Sequence, residues 1–401
     1  MRPSRTHVNA AAKFQTAQKK LTGTMPALQT NPLKATTKHS LPEYSRPDAP
    51  LALCVAALLL FGAIMTQSAS QYIDPLDPML IARKEILWDA IGATALGVTA
   101  FTDYQIWKRI AIPLFIAAIL LSAAALVMGH ASFGAQRWIS LGSFITFQPS
   151  EFAKLAFIIY GAKFIDERSD IRTFKDIWPV LLTGFVLIAL VLLQNDLGTA
   201  IIIFAIMMTM LLMSGIKLEL LLVPILGAAS SVAAIIALSP FRRARILGFM
   251  RPLDCYSSAS YQICQALIAL GSGGIFGRGL GQSLQKTGYL PAPYTDSIIA
   301  VIGEELGLIG VCAVIAALAF VVWRGIALSR NAADTFGSIF AAGAAAWLGT
   351  QALLNIGSNV AALPYTGVPL PFISYGGASL TASMAAIGVL LNISMYKRQT
   401  K

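Results

Sequence analysis

Apolar runs close to the ~20 residues a helix needs to cross a bilayer recur from Leu51 almost to the end of the chain, and no other feature limits the fold as severely. They predict an all-α polytopic membrane protein of about ten transmembrane helices. Their centres lie near Leu58, Ala95, Ala118, Phe157, Leu187, Met207, Ala228, Gly310, Ala345 and Ala385. The composition agrees, with 56% of the 401 residues hydrophobic and 12% charged, against about 25% charged in a soluble domain. The stretch 240–295, between the seventh and eighth helices, reads as a long extracytoplasmic loop. The expected organisation is a basic tail, 1–49, followed by a single transmembrane domain, 50–398.

Charge assigns the sides, because Lys and Arg concentrate in short cytoplasmic loops. With the tail inside, the inner connections carry Lys108, Arg109, Lys163, Arg168, Arg172, Lys175, Lys217, Arg324 and Arg330, and the C-terminus carries Lys397, Arg398 and Lys401. An even number of spans then leaves both termini in the cytoplasm. The net charge of +11 does not indicate nucleic acid: eight basic and two acidic residues place +6 of it on the tail. That tail is rich in Ser, Thr and Ala and holds no acid before Glu43. It reads either as a disordered cytoplasmic segment or as an organellar transit peptide, which would place the chain in a bacterial inner membrane or a plastid membrane respectively. Cys54, Cys255, Cys264 and Cys312 show no ligand-like spacing and read as structural or incidental. His7, His39 and His130 are too scattered for a metal site or a triad.

The outward-facing polar segments carry more information. "FGAQRWISLGSFITFQPSEFAK" (133–154) sets Arg137, Gln148, Glu151 and Lys154 among Trp138 and Phe144. Pro149 suits a first helical position there, and Glu151 the favourable end of the helix dipole. In "QNDLGTA", Asp196 either caps the next helix or belongs to a site. Arg242, Arg243 and Arg245 stand at an outer span end, where the inside bias disfavours them, so they suit a bound anion or lipid headgroups. The cluster "GSGGIFGRGLG" follows no strand and opens no βαβ unit, and reads as flexible backbone shaping an outer cavity.

"YTDSIIAVIGEELGLIG" heads the eighth span with Asp296, with Thr295 as its N-cap, and carries Glu304 and Glu305 inside. Each acid at mid-membrane costs ~2.5–3.5 kcal/mol on insertion scales. Glu304 lies about 12 Å along the axis from Asp296 and is rotated roughly 80° from it, with Glu305 nearly opposite. The glutamates therefore read as structural or gating groups, at least one paired with a basic or polar neighbour.

Taken in order, "AQRWISLG…FQPSEFAKLA", "QNDLGTAIII", "RRARILGF…P", "YQICQALIALGSGGIFGRGLGQSLQKTGYLP", "YTDSIIAVIGEELGLIG" and "LPYTGVPLPFISYGGASL" resemble the SEDS family of bacterial cell-wall polymerases, whose members include FtsW, RodA and SpoVE. The resemblance runs from about Pro50 to Lys397, and "GQSLQKTGYLP" is closer to the FtsW branch. It implies a ten-span bundle and a peptidoglycan glycosyltransferase. The implied reaction polymerises lipid II into glycan strands on undecaprenyl (polyprenyl) diphosphate, in cell division or shape maintenance. The implied partner is a class B penicillin-binding protein, a transpeptidase. The family's essential Asp, from a His-Thr-Asp motif, falls on Asp296. Departures from the family pattern are Ala292 for Glu, Tyr294 for His, Ser297 for Phe, Asn195 for Pro and Thr366 for Lys.

Such a reaction needs a carboxylate to take a hydroxyl proton, the role assigned to Asp296. It also needs positive charge for the departing diphosphate. Arg137, Lys154, Arg242, Arg243, Arg245 and Lys286 are the outward candidates, and Gln148, Glu151 and Asp196 complete the expected substrate-binding set. A divalent cation, Mg or Mn, can share the task, although no carboxylate cluster demands one, and no protein metal site is read. Two alternatives stand beside the enzyme. A lipid II flippase should show a midplane site and often an inverted repeat, but the acids gather at one outer end and no repeat is found. An inactive division scaffold draws its support from Ala292 and Tyr294.

Overall fold

The computed structural model describes residues 46–73, 77, 79–128, 130–132, 135–141, 145–168, 173–258 and 260–396. Most of the basic tail, Phe144, Arg172, Lys397, Arg398 and Lys401 lie outside the described residues. The helices are α1 (Ala49–Ser70), α2 (Leu80–Phe101), α3 (Tyr104–Met128), α4 (Pro149–Asp166), α5 (Phe174–Leu193), α6 (Leu197–Met213), α7 (Leu218–Leu238), α8 (Pro240–Met250), α9 (Tyr261–Gly273), α10 (Ile298–Asn331), α11 (Thr335–Asn359) and α12 (Gly377–Ser394). All ten expected centres fall within helices. By length and composition alone, seven are apolar enough to cross a membrane: α1, α3, α5, α7, α10, α11 and α12. The others fall short for visible reasons. α2 carries Arg83, Lys84, Glu85 and Asp89, α4 carries Glu151, Lys154 and Lys163, and α6 has 17 residues.

Helix starts follow local chemistry. Asp48 caps α1 by accepting from the Leu51 N–H at 3.1 Å, and Asp334 caps α11 through the Gly337 N–H at 2.8 Å. Pro149 opens α4 with Gln148 before it, where the missing proline N–H leaves nothing unsatisfied. α12 packs along α2, α10 along α11, and α3 against α4. Large apolar side chains such as Leu53, Leu60, Leu120 and Leu226 point outward, as lipid contact requires.

The structure adds two details to the expected helical membrane fold. Beside the helices lies a small antiparallel sheet, β1 (His130–Ser132), β2 (Ala135–Leu141) and β3 (Ile145–Phe147), with Ile139 opposite Phe147. In addition, 240–295 is not a plain loop: it holds α8, α9 and a 3-10 turn at Gln285–Thr287. A disulfide joins Cys255 to Cys264 there, so that pair is structural and not incidental.

The glycine cluster is a close-packing device. α10 breaks at Gly307, where φ is 69°, in the left-handed region that favours glycine. The chain 274–279 lies against that break: the Arg278 N–H reaches the Glu304 carbonyl at 3.0 Å, and the Leu308 N–H reaches the Gly274 carbonyl at 2.9 Å. A Cβ on Gly277 would sit 2.1 Å from the Glu305 carbonyl oxygen. Both glutamates then face this segment. Glu305 pairs with Lys286 at 2.7 Å, both side chains 0% exposed, and accepts from Ser68 on α1 at 2.8 Å. Glu304 accepts from the Ser283 hydroxyl at 2.5 Å and the Leu284 N–H at 3.1 Å, with Arg278 at 3.5 Å.

Removing one member of a fully buried pair leaves an uncompensated charge, at a cost of ~3–5 kcal/mol. Lys286→Met should therefore lower the thermal midpoint of the purified protein sharply, and Lys286→Met with Glu305→Leu should recover much of the loss. Melts of the two variants in one detergent check this, and a double variant no better than the single would contradict it.

Candidate active site

Three helix N-termini and β2 meet at one polar pocket. Asp196 is the N-cap of α6 and accepts from the Thr199 N–H at 3.0 Å. Gln148, the N-cap of α4, donates to its other oxygen at 3.2 Å. Arg137 of β2 reaches the same oxygen at 3.1 Å, with Asp196 2% exposed and Arg137 20%. Asp196 is thus both a cap and a member of the pocket. Asn195 beside it has φ of 61°, a left-handed conformation open to Asn and closed to a proline.

Asp296 stands opposite. The expectation that Thr295 caps the span and places Asp296 in its first turn is corrected, because α10 begins at Ile298 with Ser297 as N-cap. Asp296 lies in the preceding turn, whose backbone is drawn away from the helix: the Ser297 N–H reaches back to the Ala292 carbonyl at 3.1 Å. Ala292 itself has φ of 48°. Among the described residues, no hydrogen bond engages the Asp296 carboxylate, so both oxygens stay available to a ligand. Tyr294 packs its ring edge-on to Tyr375 at 5.6 Å. Ala292 and Tyr294 thus help to shape the turn that carries Asp296.

Crowding by protein sets the chemistry of this carboxyl, although part of its surface stays open. Burial raises the Asp296 pKa from 3.8 to about 6. The Arg137 charge opposes the rise, Asp196 adds to it, and Arg245 opposes it. Arg245, on α8, donates to the Tyr365 carbonyl at 3.4 Å. Burial and then the charge of Arg137 push Arg245 below its ordinary value. The two guanidinium groups feel each other across the pocket, an arrangement that an entering anion would relieve. Burial and then Asp296 hold the Tyr365 phenol well above its usual range, so it stays a proton donor, and its oxygen lies 3.2 Å from Ser297 Oγ.

The other candidates go elsewhere. Lys154 is fully buried, held by Glu151 at 2.9 Å, by Gln351 at 2.9 Å and over the Trp347 ring at 4.8 Å. Lys286 is committed to Glu305, Ser68 and the Gly281 carbonyl. Both ammonium groups are engaged within the protein. Arg243 is exposed on α8, and the Arg242 side chain lies outside the described residues. The donor set does not fit a protein-held Mg or Mn ion. Among the described residues no three His, Cys, Asp or Glu side chains converge, and Asp196 is already engaged on both oxygens. Sequence reading missed Asn355 and Asn359, which donate to the Asp296 carbonyl, both at 2.9 Å. The available sign was Gln351, Asn355 and Asn359 recurring every four residues inside a span.

The fold is that of a polytopic helical membrane protein, and its pocket brings the charges of Arg137, Asp196, Arg245 and Asp296 together. The chain belongs to the FtsW/RodA/SpoVE family, described as cell cycle proteins, whose sequence model matches residues 49–399. It is 37% identical over 358 residues to a probable peptidoglycan glycosyltransferase FtsW of Geobacter sp. (strain M18), covering 88% of this chain and 97% of that one. It is 36% identical to the stage V sporulation protein E of Bacillus subtilis (strain 168), covering 88% and 98%. The fold matches a chain of a peptidoglycan synthase complex that coordinates polymerization and crosslinking. That match has a TM-score of 0.73 at 27% identity and covers 87% of this chain and 97% of that one. It also matches the rod shape determining protein RodA of Thermus thermophilus, with a TM-score of 0.66 at 27% identity, over 90% and 100%.

Asp296 gives the site a testable pH signature. Its folded pKa is raised, so its stability contribution is fully present below 3.8 and is lost as pH rises through about 6. Asp296→Asn should therefore melt higher than wild type at pH 7.5, by at most about 3 kcal/mol at 1.36 per unit. The gap should close towards pH 4. Thermal melts at both pH values test this, and a variant less stable at pH 7.5 would contradict it.

Proposed function

We infer that this chain is a peptidoglycan glycosyltransferase that polymerises lipid II in a bacterial inner membrane. The observation that carries the reading is Asp296, unengaged at its carboxylate and flanked by the charges of Arg137 and Arg245. In the reaction a sugar hydroxyl oxygen forms a bond to the anomeric carbon of the other unit as the bond from that carbon to the diphosphate oxygen breaks. Asp296 takes the hydroxyl proton, and the polyprenyl diphosphate leaves with the electron pair. Arg137 and Arg245 offset the charge that develops on it. A carboxyl with a pKa near 6 is mostly ionised at neutral pH yet still basic enough to accept that proton. The starts of α4 and α6 add their N-terminal dipole ends, which favour an anion.

The site belongs on the outer side, and both termini in the cytoplasm, by the Lys/Arg bias of the connections. The Cys255–Cys264 disulfide on the segment between α7 and α10 supports that side, since disulfides persist in oxidising compartments. A class B penicillin-binding protein transpeptidase is the proposed partner. The similarity to a synthase complex that couples polymerization to crosslinking supports it.

The test is strand formation from lipid II by the chain purified with its transpeptidase. Wild type should make strands. Asp296→Ala, recovered at equal yield, should fall by roughly 10²–10⁴-fold, the typical worth of a general base. Equal rates from the two proteins would remove Asp296 from the chemistry.

A further inference from the structure

The turn that carries Asp296 has its carbonyls taken one after another. Ser297 Oγ donates to the Pro291 carbonyl at 3.0 Å, and the N–H groups of Thr295 and Ser297 donate to that of Ala292 at 3.3 and 3.1 Å. The Tyr375 N–H holds the Tyr294 carbonyl at 2.9 Å, and Ser374 Oγ holds that of Thr295 at 2.6 Å. In a regular helix the Asp296 carbonyl would accept from residue 300, but the Ala300 N–H goes to Ser297 at 3.0 Å. The Asp296 carbonyl accepts two side-chain amides instead, Asn355 Nδ2 and Asn359 Nδ2, each at 2.9 Å.

Those two asparagines lie one turn apart on α11 and are 1% and 0% exposed. Asn355 Nδ2 also reaches the Val368 carbonyl at 2.8 Å, and Asn359 Nδ2 the Asn355 carbonyl at 2.9 Å. Each amide nitrogen therefore faces two carbonyl oxygens. A flipped amide would set oxygen against oxygen, so the orientation of both groups is dictated by their surroundings. A carbonyl gripped from two sides resists rotation about the Asp296 backbone, and the direction of the side chain is set with it. Gly367, at φ of 70°, closes one flank: a Cβ there would lie 3.4 Å from Asp296 Oδ2.

We propose that Asn355 and Asn359 are positioning residues for Asp296, jointly clamping its carbonyl so that its carboxylate faces the Arg137 and Arg245 pocket. The proposal rests on the polymerase reading of that pocket. Neither asparagine contributes a group that binds lipid or diphosphate, so loosening the clamp affects turnover and leaves substrate affinity in place. Misplacement of a reacting group by about an ångström costs on the order of 10²-fold in rate.

The experiment measures kcat and KM for lipid II polymerisation by the complex with its transpeptidase, for Asn355→Leu, Asn359→Leu and the double variant. Leucine keeps the branching of asparagine, is bulkier, and has no donor. Each single variant keeps one grip and should lose kcat roughly 10-fold, and the double variant roughly 100-fold, with KM within about twofold of wild type. If a leucine variant does not fold, Asn359→Ala removes the same donor without apolar bulk and should show the same split. Ser383→Ala, equally buried on α12, should leave both constants unchanged. Unchanged kcat in the asparagine variants, a loss carried by KM, or an equal loss in Ser383→Ala would each overturn the clamp. A wild-type complex that makes no strands would overturn the polymerase reading and the clamp with it. Active wild type beside unaltered variants would overturn the clamp alone.

Discussion

A lysine ammonium and a glutamate carboxylate 2.7 Å apart, both sealed from solvent, tie the bundle together. Each needs the other, because a single buried charge in lipid or protein is penalised by several kcal/mol. The pair joins α10 to the 278–286 segment, and Ser68 extends it to α1. Gly277 and Gly307 let the backbones approach closely enough for the contact to exist. Three parts of the chain distant in sequence are fixed by one desolvated interaction. The turn holding Asp296 continues directly from the segment it anchors.

From that anchor the polar groups divide into two kinds. Those that satisfy one another are structural: Lys154 with Glu151 and Gln351, Lys286 with Glu305, and Glu304 with Ser283 and Arg278. Arg137, Asp196, Arg245 and Asp296 instead gather their charges around a carboxylate that no hydrogen bond engages among the described residues, and the proposed reaction is placed there. A site in which two guanidinium groups approach each other while the carboxylate is pushed towards its neutral form holds free energy that a bound anion and an abstracted proton can release. Arg137, Asp196, Arg245 and Asp296 gather near helix starts, which suits chemistry on a lipid headgroup better than passage through a midplane gate.

Much of this was legible in the chain itself. Spans followed from apolar length, the start of α4 from Pro149, and Asp296 from its place at the head of an apolar run in a recognisable motif. The role of the glutamates as holders of a polar interior was readable from the rule that intramembrane acids need partners. What escaped were matters of tertiary pairing. Lys154 and Lys286 looked like anion binders, because a basic residue at the outer end of a helix gives no sign of whether its ammonium turns to the pocket or into a buried glutamate. The glycine cluster looked flexible, since close backbone approach leaves no sequence trace different from that of a loop. The short sheet was hidden in a polar segment, and the disulfide in a spacing of nine residues. Asn355 and Asn359 act through a carbonyl, which no motif records.

The central claim is that the ionised Asp296 carboxylate, with a pKa near 6, takes the proton in the rate-determining chemistry. The most direct measurement is the pH dependence of kcat/KM for lipid II polymerisation by the wild-type complex between pH 5 and 8. The account predicts a rate that rises with pH, half-maximal near 6, and then levels off, as expected for a base that must be deprotonated in the free enzyme. A rate independent of pH across that range would contradict it, and so would the same limb persisting in Asp296→Asn.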